Sequence, residues 1–405
     1  MTRIAFWLAL ATIAYTYVGF PLLVLIRAAL RPRPIRAASE ATGEPSVSIV
    51  LAAHNEAGAI AARLDNLLAL DYPADRIETI VASDGSDDST VEIARRYSGR
   101  GVRVLDLGRV GKAEALNTAV ATANGEIVVF TDANTTFEPS ALRALVRPFA
   151  DPEVGGTAGD QRYLPASGAI DAGAGERSYW DFDRRVKRAE SAAGSTVAAT
   201  GAIYAIRREL FEPVITGVTD DFITSTAVVA QGRRLVFVPD ATAWEPVAGS
   251  NRLEYGRKVR IMSRGLRGVA ARRALLDPRR TGFYAVQLAS HKVLRRLMAV
   301  PLLVLAGASV LLAASAPLYL LAALGAAALT GLGAVGLAAP RSRLGRHRLA
   351  ALAAFFLLVN VASLHALWNL LSGRRIERWE PRRAPRPDVP AGLDEPDPVT
   401  AGTSR

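Results

Sequence analysis

The sequence contains no cysteine, and only four of its 405 residues are lysine. The absence of cysteine excludes disulfide bonds, thiolate metal sites and a cysteine nucleophile. Because lysine is so scarce, arginine supplies nearly all of the positive charge, and the formal net charge is +11. A basic chain can serve an anionic substrate, a membrane surface or nucleic acid. No basic stripe is interleaved with aromatic residues, so we expect no nucleic-acid partner.

Charge is absent from several long apolar runs, although charged residues make up 21% of the chain. The uncharged residues 4–26 are long enough to span a bilayer. A signal peptide has a shorter apolar core, so this run predicts an uncleaved anchor, with the arginines after it in the cytoplasm. Residues 297–340 and 349–373 predict about three further crossings. Four crossings would put the basic tail opposite the main domain, against the positive-inside rule, and the side of that tail stays open.

Between the apolar runs, β-branched segments alternate with helical patterns. The first four predicted strands cover residues 46–53, 77–83, 102–107 and 127–130. This alternation is typical of a mostly parallel sheet with helices on both faces. Further along, we expect strands at 154–158, 201–206 and 234–238, and helices over 171–193, from 219 onward and over 252–273.

Polar residues follow three of these strands at the point where each strand ends. Glu56 follows the first strand, Asp84 the second, and Asp132 and Asn134 the fourth. The carboxyl ends of parallel strands meet at one edge, where open α/β sheets bind ligands, so these residues predict one site. The oxygens of Asp132 and Asn134 suit a hard cation such as Mg²⁺ or Mn²⁺. Ordinary turns are the alternative, because Asp and Asn favour them.

Five motifs in order resemble those of family 2 of the glycosyltransferases, the inverting enzymes with the GT-A nucleotide-diphospho-sugar transferase fold. The similarity is to the membrane-bound branch that includes cellulose, hyaluronan and poly-N-acetylglucosamine synthases, and it covers roughly residues 46–275. The motifs are His54-Asn55-Glu56, the polar loop 83–90, Gly111-Lys112 with the helix start to Asn117, Asp132-Ala133-Asn134, and Thr219-Asp220-Asp221.

The resemblance implies a role for each motif. Asp221, beside Asp220, would be the general base that takes the acceptor proton. Asp132 and Asn134 would hold the metal, whose charge stabilises the leaving diphosphate. Gly201 and Trp180 are expected on the acceptor side from their position alone. The residues expected to bind the nucleotide or the donor are Ala53, His54, Glu56, Asp84, Gly111, Lys112, Asp132, Arg260 and Arg264.

Each role has a structural alternative. Asp84 could be a turn residue and helix cap, Lys112 a solvated helix start, and Asp221 an acid favoured by the helix dipole. The two arginines could contact lipid headgroups instead of a diphosphate.

The sequence departs from the family pattern at two functional positions. Asn134 replaces the second acid of the metal motif, so it can coordinate a cation but brings no charge. The processive synthases carry Gln-x-x-Arg-Trp, whereas the matching segment here, Arg257–Ile261, keeps only the arginine. In the family that tryptophan lies beneath the acceptor sugar. Its replacement by Ile261 therefore argues against a long polysaccharide product.

We therefore expect a multi-pass plasma-membrane glycosyltransferase with a cytoplasmic catalytic domain and a Mg²⁺ or Mn²⁺ cofactor. It would move a sugar from a nucleotide sugar, expected to be a UDP-sugar, to a lipid-linked or growing glycan among membrane lipids. The alternatives are a polyprenyl-phosphate monosaccharide transferase and a catalytically silent partner of a polysaccharide secretion complex. The expected segments are an anchor (1–30), a linker (31–45), the GT-A domain (46–250), basic interfacial helices (251–296), transmembrane helices (297–373) and a basic, then disordered, tail (374–405).

Overall fold

An eight-stranded mixed sheet forms the centre of the protein. The structure is a computed structural model that describes residues 1–36, 44–163, 174–246 and 251–374, without the side chains of 174–181 and 251–253. Three expectations fall partly outside these residues: the linker over 37–43, the helix start over 171–173 and the tail over 375–405. The strands are β1 (Val47–Ala53), β2 (Ile77–Asp84), β3 (Val102–Leu107), β4 (Ile127–Asp132), β5 (Thr136–Phe137), β6 (Val154–Tyr163), β7 (Tyr204–Arg207) and β8 (Arg234–Glu245).

The strand order is β3-β2-β1-β4-β7-β6-β8-β5. The first four strands of this order are parallel, β7 is antiparallel to both of its neighbours, and β6 and β8 are again parallel. Register brings the strand ends together: Ala52 of β1 lies opposite Asp132 of β4, and Ala53 lies opposite Ser83 of β2. The expected mostly parallel α/β sheet is confirmed, with β7 antiparallel near its middle and the two-residue β5 antiparallel to β8 at its edge.

Helices cover both faces of the sheet, as the alternating pattern predicted. Apolar side chains of α3 and α6 pack on one face, whereas those of α5 pack on the other. The helices are α1 (Thr2–Ala14), α2 (Phe20–Leu30), α3 (Ala57–Leu68), α4 (Thr90–Arg95), α5 (Lys112–Ala121), α6 (Ala141–Val146), α7 (Ala174–Ala193), α8 (Asp220–Ala230), α9 (Asn251–Ala271), α10 (Pro278–Thr281), α11 (Phe283–Gln287), α12 (Ala299–Leu312), α13 (Pro317–Ala338) and α14 (Arg348–Leu371).

Three helical segments of the described chain are long and apolar enough to cross a membrane: Thr2–Leu30, α13 and α14. A fourth crossing is possible only if the bent pair Phe283–Leu294 and Ala299–Leu312, which meet at 61°, counts as one span. The 14 residues of α12 are fewer than the about 20 that a straight crossing needs. The two full spans expected between 297 and 340 are therefore one long helix and one short one.

The β8 strand is longer than the sequence predicted. It was expected to end at Val238, the residue before Pro239 and Asp240. In the structure the pairing with β6 shifts register between Gly159 and Asp160 and then continues to Glu245. A bulge tolerates a proline that an uninterrupted ladder excludes. The strand expected over 201–206 also differs, since β7 covers Tyr204–Arg207 and leaves Gly201 in a turn.

Candidate active site

A cavity of about 740 Å³ opens at the carboxyl ends of β1 and β4 and extends toward the apolar helices. The expected site residues on its wall are Glu56, Lys112, Asp132, Asn134, Gly201, Asp220, Asp221, Arg260 and Arg264. Motifs that are separated by up to 208 positions in the sequence thus converge on one space. The cavity lies at the edge of the sheet where the strand ends predicted a site.

Lys112 connects the two halves of the cavity. Its ammonium nitrogen lies 2.9 Å from Oδ1 of Asp132, at the end of β4, and 3.0 Å from Oδ2 of Asp220, at the start of α8. Burial disfavours the charged form of Lys112, but the two carboxylates outweigh burial, and its pKa is raised. The alternative of a solvated helix start does not hold, because 85% of the side chain is removed from solvent.

Asp221 lies beside this bridge in the first turn of α8. Its Oδ1 accepts a hydrogen bond from the backbone N–H of Phe222 at 2.8 Å. Burial and then the neighbouring charge of Asp220 raise the pKa of Asp221 to about 6, against the opposing effects of Lys292, the Phe222 N–H and Lys112. A carboxylate with a pKa near neutrality can accept a proton and remain mostly ionised at pH 7.

The donor set around Asp132 suits a hard cation. No three His, Asp or Glu side chains of the described residues converge into a ready-made metal site. Asp132 and Asn134 nevertheless share the cavity wall with Glu245, whose pKa is raised first by burial and then by the charge of Asp132. Two carboxylates and an amide that face one space are the oxygen ligands that Mg²⁺ and Mn²⁺ prefer. These residues would fit a divalent ion that completes its coordination with a bound ligand.

Gly201 lies directly against the same carboxylate. A Cβ atom at this position would be 3.4 Å from Oδ2 of Asp132. Gly201 was expected on the acceptor side, but the structure places it next to the predicted metal ligand. Trp180, the other residue expected there, belongs to α7, and its side chain lies outside the described residues.

Four predicted nucleotide-binding residues do not contribute to the wall of this cavity as described: Ala53, His54, Asp84 and Gly111. Asp84 is fully buried, and its carboxylate accepts hydrogen bonds from Arg109 at 2.9 Å and from the backbone N–H of Gly111 at 2.6 Å. Asp84 therefore stabilises the 108–111 turn. These contacts agree with the structural alternative, in which Asp84 is a turn residue.

Sequence reasoning missed many residues of the cavity wall, among them the charged residues Arg63, Glu245 and Lys292. Arg63 is buried, donates to Thr131 Oγ1 at 2.8 Å and packs over the ring of Phe137, so it supports the end of β4 from behind. Glu245 could have been identified from its position at the end of a strand, but the predicted strand ended at Val238 and so did not reach it. Lys292 had one signal, namely that it is one of only four lysines.

Comparisons with known proteins agree with this geometry. The family model described as "Glycosyl transferase family 2" matches residues 48–215. Residues 48–215 are a family 2 glycosyltransferase domain. The matched domain contains Asp132 and Lys112 but ends before Asp220 and Asp221, which lie in α8 just beyond it.

Two curated relatives of this glycosyltransferase domain are bacterial. The probable glycosyltransferase YdaM of Bacillus subtilis is 28% identical over 213 residues, which are 50% of this chain and 50% of the relative. The poly-beta-1,6-N-acetyl-D-glucosamine synthase of Staphylococcus aureus is 27% identical over 226 residues, which are 54% of this chain and 53% of that synthase. The chain spans about half the length of these curated relatives.

A solved structure is similar over nearly the whole chain. The mannosyltransferase PcManGT of Pyrobaculum calidifontis, in complex with GDP-Man and Mn²⁺, is 27% identical with a TM-score of 0.69. The similarity covers 93% of this chain and 100% of that one, so it extends beyond the glycosyltransferase domain to the apolar helices. The GT-A fold predicted from the motifs is confirmed.

Proposed function

We propose that this protein is a membrane-bound inverting glycosyltransferase. It moves a sugar from a nucleoside-diphosphate sugar to a lipid-linked or growing glycan at the cytoplasmic face of the plasma membrane. The observation that carries the proposal is the contact of Lys112 with both Asp132 and Asp220, because it holds the donor end of the sheet next to the acids of α8. The relatives with glycosyltransferase and polysaccharide synthase names support the same reaction class.

Seven side chains of the cavity wall have a role in the proposed reaction. Asp221 takes the proton of the acceptor hydroxyl as the hydroxyl oxygen attacks the anomeric carbon from the side opposite the diphosphate. Lys112 holds Asp132 and Asp220 in place and keeps positive charge near the leaving group. Arg260 and Arg264 provide guanidinium groups, which match phosphate geometry. A divalent ion held by Asp132 and Asn134, with Glu245 nearby, would supply charge that stabilises the leaving diphosphate.

The proposal also specifies the nucleotide of the donor sugar and the metal ion. The motifs favour a UDP-sugar, whereas the similar mannosyltransferase holds GDP-Man and Mn²⁺. Both nucleotides therefore belong in the test, with Mn²⁺ as the first metal to supply.

The second candidate function is monosaccharide transfer to a polyprenyl phosphate. The observation in its favour is the cavity itself, which reaches the apolar helices at Tyr17 and Asn360.

The test is turnover by the full-length protein in purified membranes. UDP- and GDP-linked hexoses and N-acetylhexosamines are offered separately with Mn²⁺ or Mg²⁺, and the released nucleoside diphosphate is measured. We expect release with one donor, dependence on the metal, loss of release in Asp132→Asn, and an inverted anomeric configuration in the product by NMR. If no donor is turned over with native membrane lipids present, the protein is a silent partner and the proposal fails.

A further inference from the structure

A buried arginine lies behind the loop that carries the two predicted metal ligands. Arg63 of α3 is 2% exposed, and its guanidinium lies 4.3 Å from the centre of the Phe137 ring. Within the part of the chain that the structure describes, this guanidinium forms no ion pair, and its Nε atom has no hydrogen-bond partner. Burial lowers the pKa of Arg63 to about 9, against the opposing charge of Asp132, so the side chain is still charged at pH 7. Because burying an unpaired charge is unfavourable, a hydrophobic residue would be the simpler choice at a purely structural position.

Arg63 is connected to both ends of this loop. Its Nη2 atom donates to Thr131 Oγ1 at 2.8 Å, and its Nη1 atom donates to Asn66 Oδ1 at 2.6 Å. The Asn66 side chain in turn binds Phe137 twice, since it accepts from the backbone N–H at 2.8 Å and donates to the backbone carbonyl at 2.9 Å. Thr131 and Phe137 flank residues 132–136, so one network of side chains holds the loop at its two ends.

The network continues from Thr131 to the turn that faces Asp132. Thr131 Oγ1 accepts from Arg63 and donates to the backbone carbonyl of Ala202 at 2.8 Å. Gly201, the residue before Ala202, lies against Asp132, because a Cβ atom there would be 3.4 Å from Oδ2 of that carboxylate. The two hydrogen bonds of the Thr131 hydroxyl therefore fix this turn relative to the carboxylate of Asp132.

The predicted metal ligands occupy a tight turn between the two held ends. The backbone N–H of Thr135 donates to the carbonyl of Asp132 at 3.3 Å, which closes a turn with Asn134 at its third position. The side chains of Asp132 and Asn134 both line the cavity. Residues that orient metal ligands without touching the metal typically contribute about 10- to 100-fold to metal affinity.

We propose that Arg63 is a positioning residue for the divalent ion, which holds Asp132 and Asn134 in the orientation that binds metal together with the donor diphosphate. This inference rests on the proposed function and adds a residue to its metal site. Arg63 does not contact the ion. It acts through Thr131 at one end of the loop and through Asn66 at the other, and the planar guanidinium supplies the two donors at a fixed angle.

The test measures the Mn²⁺ affinity of the full-length protein in nanodiscs by calorimetry, with saturating UDP or GDP. Arg63→Met retains an unbranched side chain of similar length over Phe137 but removes both donors, and it should weaken Mn²⁺ binding by about tenfold or more. Thr131→Val removes only the hydroxyl and should weaken Mn²⁺ binding in the same direction. The double variant should lose less affinity than the product of the two single losses, because the two residues act through one hydrogen bond.

Arg234→Met is the matched control. Arg234 is also buried, at 5% exposed, and donates to backbone carbonyl oxygens, but it lies at the start of β8 and is not part of the described cavity wall. This variant should lower the melting temperature and leave Mn²⁺ affinity unchanged. An equal loss of Mn²⁺ affinity in Arg234→Met, or an unchanged affinity in Arg63→Met, would overturn the proposal. If Arg63→Met folds poorly, an unchanged affinity in Thr131→Val has the same consequence.

Turnover provides a second readout that a purely structural role would not alter. In Arg63→Met the Mn²⁺ concentration that gives half-maximal turnover should rise by about tenfold or more, whereas kcat should be nearly restored at saturating Mn²⁺. A loss of kcat that excess Mn²⁺ does not restore would contradict the proposal, because it would show damage beyond the metal ligands.

Amide hydrogen exchange without metal or nucleotide separates this inference from the proposed function. The exchange of residues 131–137 reports how firmly the loop is held. It should be faster in Arg63→Met and Thr131→Val than in the wild type and Arg234→Met. Failure of the wild type to bind Mn²⁺ with either nucleotide would overturn the metal site itself, and this inference with it. Mn²⁺ binding by the wild type together with unchanged exchange in Arg63→Met would overturn this inference alone.

Discussion

The ammonium group of Lys112 and the carboxylate of Asp132 lie 2.9 Å apart, so the first residue of α5 neutralises the last residue of β4. The same ammonium also contacts Asp220. One cation therefore compensates two acids that approach each other only because the chain folds. This arrangement has consequences for stability and for metal binding.

Replacing Lys112 by methionine should leave Asp132 and Asp220 without their shared cation. Breaking a buried ion pair costs about 3–5 kcal/mol, but both carboxylates remain partly exposed, so we expect about 1–3 kcal/mol. Mn²⁺ should then raise the melting temperature of Lys112→Met more than that of the wild type, because the ion replaces the lost charge. Lys112→Arg is the control that keeps the charge. An unchanged melting temperature in Lys112→Met without metal would contradict this view of the bridge.

Asp221→Asn should reduce turnover by about 10²- to 10⁴-fold, the usual contribution of general-base catalysis. Nucleotide affinity, measured by calorimetry, should stay nearly unchanged, since the proposed base does not contact the nucleotide. Asp132→Asn is the comparison, and it should weaken nucleotide binding in the presence of metal as well as turnover. Near-normal turnover in Asp221→Asn together with its loss in Asp220→Asn would assign the base to the neighbouring residue.

Turnover should also fall as the pH drops below about 6. The pKa of Asp221 is raised from 3.8 to about 6, by burial and then by Asp220, and is opposed by Lys292, Phe222 N–H and Lys112. The folded state binds this proton more tightly than the unfolded chain, so ionisation of Asp221 costs stability as the pH rises from about 4 to 6. Asp221→Asn should therefore be at least as stable as the wild type at pH 7. A turnover profile that is flat from pH 7 to pH 5 would exclude Asp221 as the base.

Metal binding should depend on nucleotide. Asp132 is already paired with Lys112, and Asn134 brings no charge, so calorimetry should find weak Mn²⁺ binding alone and tighter binding with the nucleoside diphosphate. Asn134→Asp should retain or increase activity and tighten metal binding. Complete loss of activity in Asn134→Asp would show that residue 134 is not a metal ligand.

The product from a defined primer should be short. Ile261, which replaces the tryptophan of processive synthases, lines the cavity and is 37% exposed. A branched aliphatic side chain offers no flat face on which a sugar ring can stack. Mass spectrometry should therefore find one or a few added sugars, and a ladder of dozens would refute the prediction. Ile261→Trp is the informative variant, since it should lengthen the product if this position limits it.

The parallel part of the fold was predictable because each strand carried its own local signal. The strands β1 to β4 are short buried runs that end in polar residues, and the structure differs from their expected bounds by two residues at most. The second half of the sheet was harder, since β8 continues through a bulge at Pro239. That local irregularity hid Glu245, which reaches the cavity only because β8 pairs with β6 to its end.

The candidate site was predictable where motifs follow strands and harder to predict where residues come from distant helices. Asp132, Lys112 and Asp221 were found from their motifs, although the contact of Lys112 with both acids depends on tertiary packing. Asp84 had the motif but accepts hydrogen bonds from Arg109 and Gly111 and does not line the cavity. Lys292 lies in a π-helical turn, Leu288–Leu294, and no sequence pattern relates that turn to the sheet edge.

Because all four lysine side chains line one cavity, chemical modification of lysine probes that cavity selectively. An amine-acylating reagent can modify only these four side chains and the terminal amine, so mass-spectrometric footprinting reads the cavity without background from the rest of the surface. A ligand or ion that takes Asp132 away from Lys112 would increase the reactivity of that amine, whereas a molecule bound against Lys292 would shield the other. The pattern of change across the two lysines would locate any bound molecule in the cavity before its identity is known.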